Sequence, residues 1–125
     1  MDIARDHAPT VGRIFLALIF ILAGLTKIPA PEMNIGYMEM FGVPGILFWP
    51  TVLLEVVGGI MLLVGFKARW AALALGLFSL VAAAIFHSDF ANQAEMTSFL
   101  KNVAIAGGMF YVFAFGAGPL AVDRS

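Results

Sequence analysis

The chain has 125 residues, 62% of them apolar and only 12% charged, with a mean hydropathy of +0.97 and a net charge of −1. A soluble domain carries about 25% charged residues, so the composition asks for a bilayer, and without a basic stripe it excludes nucleic acid as a partner. The absence of cysteine rules out disulfides, thiolate metal sites and a dithiol relay, so any redox electrons sit on a bound group.

The segment Met1 to Thr10 carries Asp2, Arg5, Asp6, His7 and Pro9, and an apolar run follows over residues 10–28. That run ends in Lys27, Ile28 and Pro29 rather than a small-x-small cleavage pattern, so it reads as a retained membrane span. Crossing roughly 30 Å of hydrocarbon takes about 20 residues. Three further runs meet this length, at about 44–64, 69–87 and 98–115. The connection from Pro29 to Val43 mixes methionine and aromatic residues with Glu32 and Glu39, and Pro31 suits a first helical turn. A short helix lying in the interface is expected there. Between the second and third spans only Gly65, Phe66, Lys67, Ala68 and Arg69 intervene, a tight basic turn that makes those helices antiparallel neighbours. The expectation is an all-α integral membrane four-helix bundle, with an interfacial helix between spans one and two, forming one domain over residues 1–125.

Orientation follows from lysine and arginine bias. Arg5, Arg13, Lys67, Arg69 and Arg124 fall on one side, Lys27 and Lys101 on the other, which places both ends of the chain in the cytoplasm. Arg13 and Arg69 are explained by topology and phospholipid contact. Trp49, Trp70 and Tyr37 fall near span boundaries and read as interfacial belt residues.

Glu55 sits near the middle of the second span, where an ionised carboxylate costs at least about 2.5 kcal/mol. It must therefore face protein or water, or be protonated. Its helical neighbours Thr51, Gly58 and Gly59 give that face small residues suited to close helix contact. Matching stripes run along Arg13, Ala17, Phe20, Gly24 and Lys27, along Ala72, Gly76, Ser79, Ala83 and His87, and along Asn102, Ala106 and Met109. Counting 1.5 Å per residue from the basic end puts Glu55 at about 15 Å, Lys27 and Asn102 at about 21 Å and His87 at about 27 Å. These groups occupy one layer from the midplane to the outer surface. Lysine's long stem can span the gap between Lys27 and Glu55.

Two readings of this layer stand side by side. In one, Lys27, Glu55, His87, Lys101 and Asn102 line a ligand-binding pocket in the outer half of the bundle, with Glu55 as candidate proton acceptor. In the other, Lys27 and Glu55 form a buried ion pair that fixes helix register, with Asn102 and His87 as interhelical hydrogen-bonding partners; for His87 and Lys101 simple interfacial placement suffices. No metal site is expected, since His7 and His87 fall on opposite sides and no HxxxH or ExxH pair exists. A transporter is disfavoured because no broken pair of helices signals one.

Several short motifs recur in a recognisable order: Gly12 to Phe15, Gly24 to Lys27, Gly42 to Gly45, Glu55 to Gly59, Gly65 to Arg69, Phe86-His87, Phe99 to Asn102 and the ending from Gly116 through Asp123. Over about residues 10–123 the chain resembles the DoxX family of membrane proteins. The resemblance implies a four-helix membrane bundle associated with oxidoreductase systems, including thiosulfate:quinone oxidoreduction and oxidative-stress complexes whose chemistry often lies in partner proteins. It implies family-pattern positions at Lys27, Glu55, Arg69, His87, Lys101 and Asn102. Relatives tend to place another basic residue where this chain reads Gly118 to Asp123, which argues against an anion contact there. The expectation is an accessory or quinone-binding subunit of a redox system in the bacterial inner membrane, not an enzyme by itself. The alternative is a non-catalytic structural subunit within a homo-oligomer or larger membrane complex.

Overall fold

A computed structural model describes residues 3–123; Asp2 and Arg124, the latter used in the charge argument, lie outside the described residues. The chain forms helices α1 (Ile3–Lys27), α2 (Pro31–Met40), α3 (Phe48–Val64), α4 (Ala68–Phe86) and α5 (Gln93–Phe115), with one 3₁₀ turn, Gly45–Leu47, leading into α3. Four of these stretches are long and apolar enough to cross a membrane: Ala4–Lys27, Gly45–Val64, Ala68–Phe86 and Gln93–Phe115. The chain is thus an all-α membrane bundle, with the short helix α2 between the first two spans.

Helix boundaries follow local chemistry. α1 begins before Thr10 and carries Pro9 within it, where the proline forgoes one backbone N–H; a Cβ on Gly118 would lie 2.9 Å from the Pro9 Cβ. α3 ends at Gly65, whose left-handed φ of 78° lets its N–H bond the Met61 carbonyl. α5 starts five residues earlier than hydropathy indicates, because Asn92 caps it by accepting from the Ala94 and Glu95 N–H groups. α2 has Pro31 in its first turn and no buried residue.

The helices associate as two close pairs, α1 with α3 and α4 with α5; the α3 to α4 seam is smaller and the α1 to α5 seam the least extensive. Glycines set the close approaches. A Cβ on Gly59 would lie 3.2 Å from the Ile21 N and 3.3 Å from the Ala17 O, both backbone atoms, so α3 abuts α1 there. A Cβ on Gly76 would lie 3.0 Å from the Met109 Cβ, so α4 abuts α5.

The two pairs meet near the end that carries the α3 to α4 turn, here termed the turn end. Gly58 packs on Leu75 and Gly108 on Leu16, and the buried core of Ala17, Phe20, Leu62, Leu75 and Met109 sits between them. A strap after α5 ties this end together. The Val122 N–H donates to the Val64 carbonyl, the Asp123 N–H to the Gly65 carbonyl, and the Asp123 carboxylate accepts from the Lys67 N–H at 3.2 Å. Toward the opposite end, capped by α2 and termed the lid end, the pairs diverge around a cavity.

Candidate functional site

The cavity between the pairs has a volume of about 490 Å³, within the range of small-molecule sites. Lys27 from α1, Glu55 from α3, His87 at the end of α4, and Lys101 and Asn102 from α5 all line it. Thr51 and Ser79 add hydroxyls, and Asn34 and Tyr37 of α2 reach it from the lid. The remaining lining is apolar, including Phe20, Phe48, Phe78 and Ile105.

Glu55 is only 3% exposed. It points into the cavity because Gly59 and Gly58, one turn away on α3, are engaged with α1 and with Leu75 of α4 respectively, which aims the intervening face between those helices. Its Oε1 pairs with the Lys27 ammonium. Among the described residues no donor reaches Oε2. Lysine carries three N–H donors, so the pair retains hydrogen-bonding capacity on both partners.

On the opposite wall, the Asn102 Nδ2 donates to the Ser79 carbonyl at 3.3 Å, holding α5 to α4 and leaving its second amide hydrogen and its carbonyl oxygen for the cavity. His87 Nδ1 lies 2.9 Å from the Glu95 Oε2, which fixes the ring and leaves Nε2. Lys101 is exposed and makes no ion pair among the described residues. These polar contacts stay within a helix pair: Lys27 to Glu55 in the first, Asn102 to Ser79 and His87 to Glu95 in the second. Across the cavity the pairs are joined instead by aromatic rings. Tyr37 of α2 stacks on Phe86 of α4 with centroids 5.5 Å apart, and Phe41 meets Phe86 edge-on at 5.1 Å.

One sequence reading changes and two are extended. Arg13 is a buried connector, 3% exposed, rather than a phospholipid contact: its guanidinium donates to the Ala117 and Leu120 carbonyls of the strap and to Leu63 at 3.4 Å. Those carbonyls end helices and turns that the sequence alone does not bring together. Arg69 donates from Nε to the Phe113 carbonyl at 2.8 Å and lies over the Phe113 ring, tying α4 to α5. Tyr37 lines the cavity as well as showing on the surface, whereas Trp49 and Trp70 are more than half exposed. Sequence reasoning missed Asn34, Glu95 and Phe86. Their roles depend on which helix each faces, for which a single polar or aromatic residue carries no periodic signal.

The sequence pattern of the DoxX family matches residues 8–88. The chain is 40% identical over 120 residues to inner membrane protein YqjF of Escherichia coli (strain K12), a match covering 96% of this chain and 92% of that protein. It is 31% identical over 128 residues to inner membrane protein YphA of the same organism, covering 97% and 91%. It is 28% identical over 128 residues to the ER-derived vesicles protein ERV29 of Saccharomyces cerevisiae, covering 98% of this chain and 35% of that longer protein. No solved structure gives a significant match.

Proposed function

The chain belongs to the DoxX family of membrane proteins, and from that premise we propose that it is the small-molecule-binding subunit of a membrane redox system, taking a quinone-like carbonyl compound between its two helix pairs. One observation carries the reading: polar groups from both pairs converge on a cavity of about 490 Å³ without bonding to each other across it. A ligand with hydrogen-bonding groups at both ends of a planar ring would complete that bridge. Lys27, Lys101 and the free Asn102 amide hydrogen supply donors to carbonyl oxygens; His87, with its Nδ1–H directed at Glu95, presents Nε2 as an acceptor, and the open Oε2 of Glu55 accepts from a hydroxyl, making it the candidate proton acceptor. The chain's part is binding and proton exchange; the electrons belong to the bound molecule and to a partner protein.

In this reading residues 1–125 form a single transmembrane domain of a bacterial inner membrane, as the names of the YqjF and YphA relatives suggest. Arg5, Arg13, Lys67 and Arg69 gather at the turn end and Lys27 and Lys101 at the lid end, so the turn end faces the cytoplasm and the cavity lies toward the outside. A second reading draws on the Lys27 and Glu55 pair itself, which is already closed in this structure: a structural subunit would use it only to fix register within a homo-oligomer or larger complex.

The test is purification in mild detergent, extraction of bound small molecules, and the same with Glu55→Gln and Lys27→Ala. A quinone present in the native protein and lost from both folded variants is the expected outcome. A native protein free of bound carbonyl compounds, with unaltered partners in both variants, would leave only the structural role.

A further inference from the structure

The cavity is open sideways as well as toward the lid. Leu47 and Val81 both line it, yet they are 45% and 56% exposed on the outer surface; a side chain that does both marks the lip of an opening. Leu47 lies eleven residues, close to three full turns, before Gly58. As the last residue of the 3₁₀ turn and the N-cap of α3, it continues the line of the α3 strip that meets Leu75 near the turn end. Val81 and Ile85 lie on the opposite lip, with Phe78 behind them. Every side chain named on this window is apolar, and it opens onto the faces of α3 and α4 that a bilayer covers. The opposite side, lined by Ile19 of α1 and Lys101 of α5, differs because Lys101 is an exposed cation.

The cavity is thus polarised across the bundle. Lys27 of α1 and Lys101 of α5 stand on one side, with Glu55 turned toward α1 by its pair with Lys27; α3 and α4 add Thr51, Ser79 and His87 inside the cavity, but the lips of their opening, Leu47, Val81 and Ile85, are hydrocarbon. We propose that the ligand is a tailed amphiphile of the bilayer. Its hydrogen-bonding head docks between Glu55, Lys27 and Asn102, and its single aliphatic tail leaves through the Leu47 and Val81 window, which is also the access route from the membrane. This inference rests on the cavity's being a binding site, as argued above, and adds the ligand class and the direction of its tail. A water-soluble ligand entering past α2 would have no use for an apolar lateral window. A tail in the window covers hydrophobic side chains on both lips and gains with each methylene buried.

The experiment uses the full chain in lipid nanodiscs and two probes, tetramethylbenzoquinone and the same ring with one methyl replaced by a decyl chain. Each probe is compared with itself across variants, so partitioning into lipid cancels. Val81→Trp fills the window, and Leu47→Trp does so from the other lip. Both are expected to weaken the decyl probe by roughly tenfold or more and the tail-less probe by less than about threefold, whereas Leu77→Ala, at an exposed position of α4 that does not line the cavity, keeps the affinity of both. A decyl probe carrying a diazirine at the end of its tail should label the Leu47 and Val81 lips. Equal loss of both probes in the folded tryptophan variants, or labelling confined to α1 and α5, overturns the lateral tail. Failure of the native protein to bind either probe overturns the binding site itself and this inference with it, an outcome distinct from binding that ignores the window.

Discussion

Glu55 and Lys27 decide what the polar layer is for, because a carboxylate at membrane depth is tolerated only when its surroundings compensate it. The pair is asymmetric: the lysine side chain is 29% exposed and the glutamate 4%, so loss of the lysine leaves a charge that solvent cannot reach. Breaking a buried pair by removing one partner costs about 3 kcal/mol or more, whereas replacing both with apolar side chains is often neutral. Lys27→Met should therefore lower unfolding stability by about 3 kcal/mol, and Lys27→Met combined with Glu55→Leu should return to within about 1 kcal/mol of the native protein. Denaturant titration in mixed micelles reads both values. The double variant separates the two readings of the site: a protein that regains stability without regaining its bound carbonyl compound used the pair for the ligand. The acid was legible in the sequence as the residue that did not belong in its span. Its partner was legible only through the reach of a lysine stem, and the unbonded Oε2 only once the helix faces were known.

At the scale of helices, the two pairs are made by glycines that admit a neighbouring backbone. A Cβ on Gly24 would lie 3.3 Å from the Val56 N, and one on Gly59 3.2 Å from the Ile21 N, and a backbone atom cannot swing aside as a side-chain tip can. Gly107, on the same kind of apolar helix, has nothing within 4 Å of that position. Gly59→Ala and Gly24→Ala should each destabilise the α1 to α3 pair by about 1 to 3 kcal/mol. Gly107→Ala should be neutral or slightly stabilising, since alanine is the better helix former. Unfolding titrations of the three variants in one detergent check the ranking, and equal effects at all three positions would remove the glycine account of the pairing. Hydropathy and Pro, Gly and charge punctuation made the four spans and α2 readable, because the bilayer demands length and apolarity from each helix separately. The early start of α5 was hidden because Asn92 caps a polar turn outside the apolar run. The divergence of the pairs was hidden too: the small-residue stripes identify contact faces but not where along its length each contact ends.

The whole molecule is a clamp, closed at the turn end and open toward the lid. Arg13, the strap after α5 and the Lys67 to Asp123 contact lock the closed end. Among the described residues, the rings of Tyr37 in α2 and Phe41 just after it tie the lid across the open end to Phe86 of α4. Between the polar cavity and the buried Arg13 lie Ala17, Leu62, Leu75 and Met109, all fully buried and apolar. A proton or ion leaving Glu55 toward the turn end meets close-packed hydrocarbon with no polar group to replace its hydration. On the binding reading, the cavity therefore exchanges with the lid end and with the bilayer, and not through the turn end. Purified chain in liposomes should show proton and potassium leakage no greater than protein-free liposomes, read with an entrapped pH dye and a potassium-sensitive dye. Polar substitution of the barrier supplies the positive control: Leu75→Asn with Met109→Asn places amides between Glu55 and Arg13 and should raise the proton leak if the variant folds. Leakage from the native protein itself would mean that the barrier opens, and would make a conduit rather than a closed-ended binding clamp the whole-molecule description of this chain.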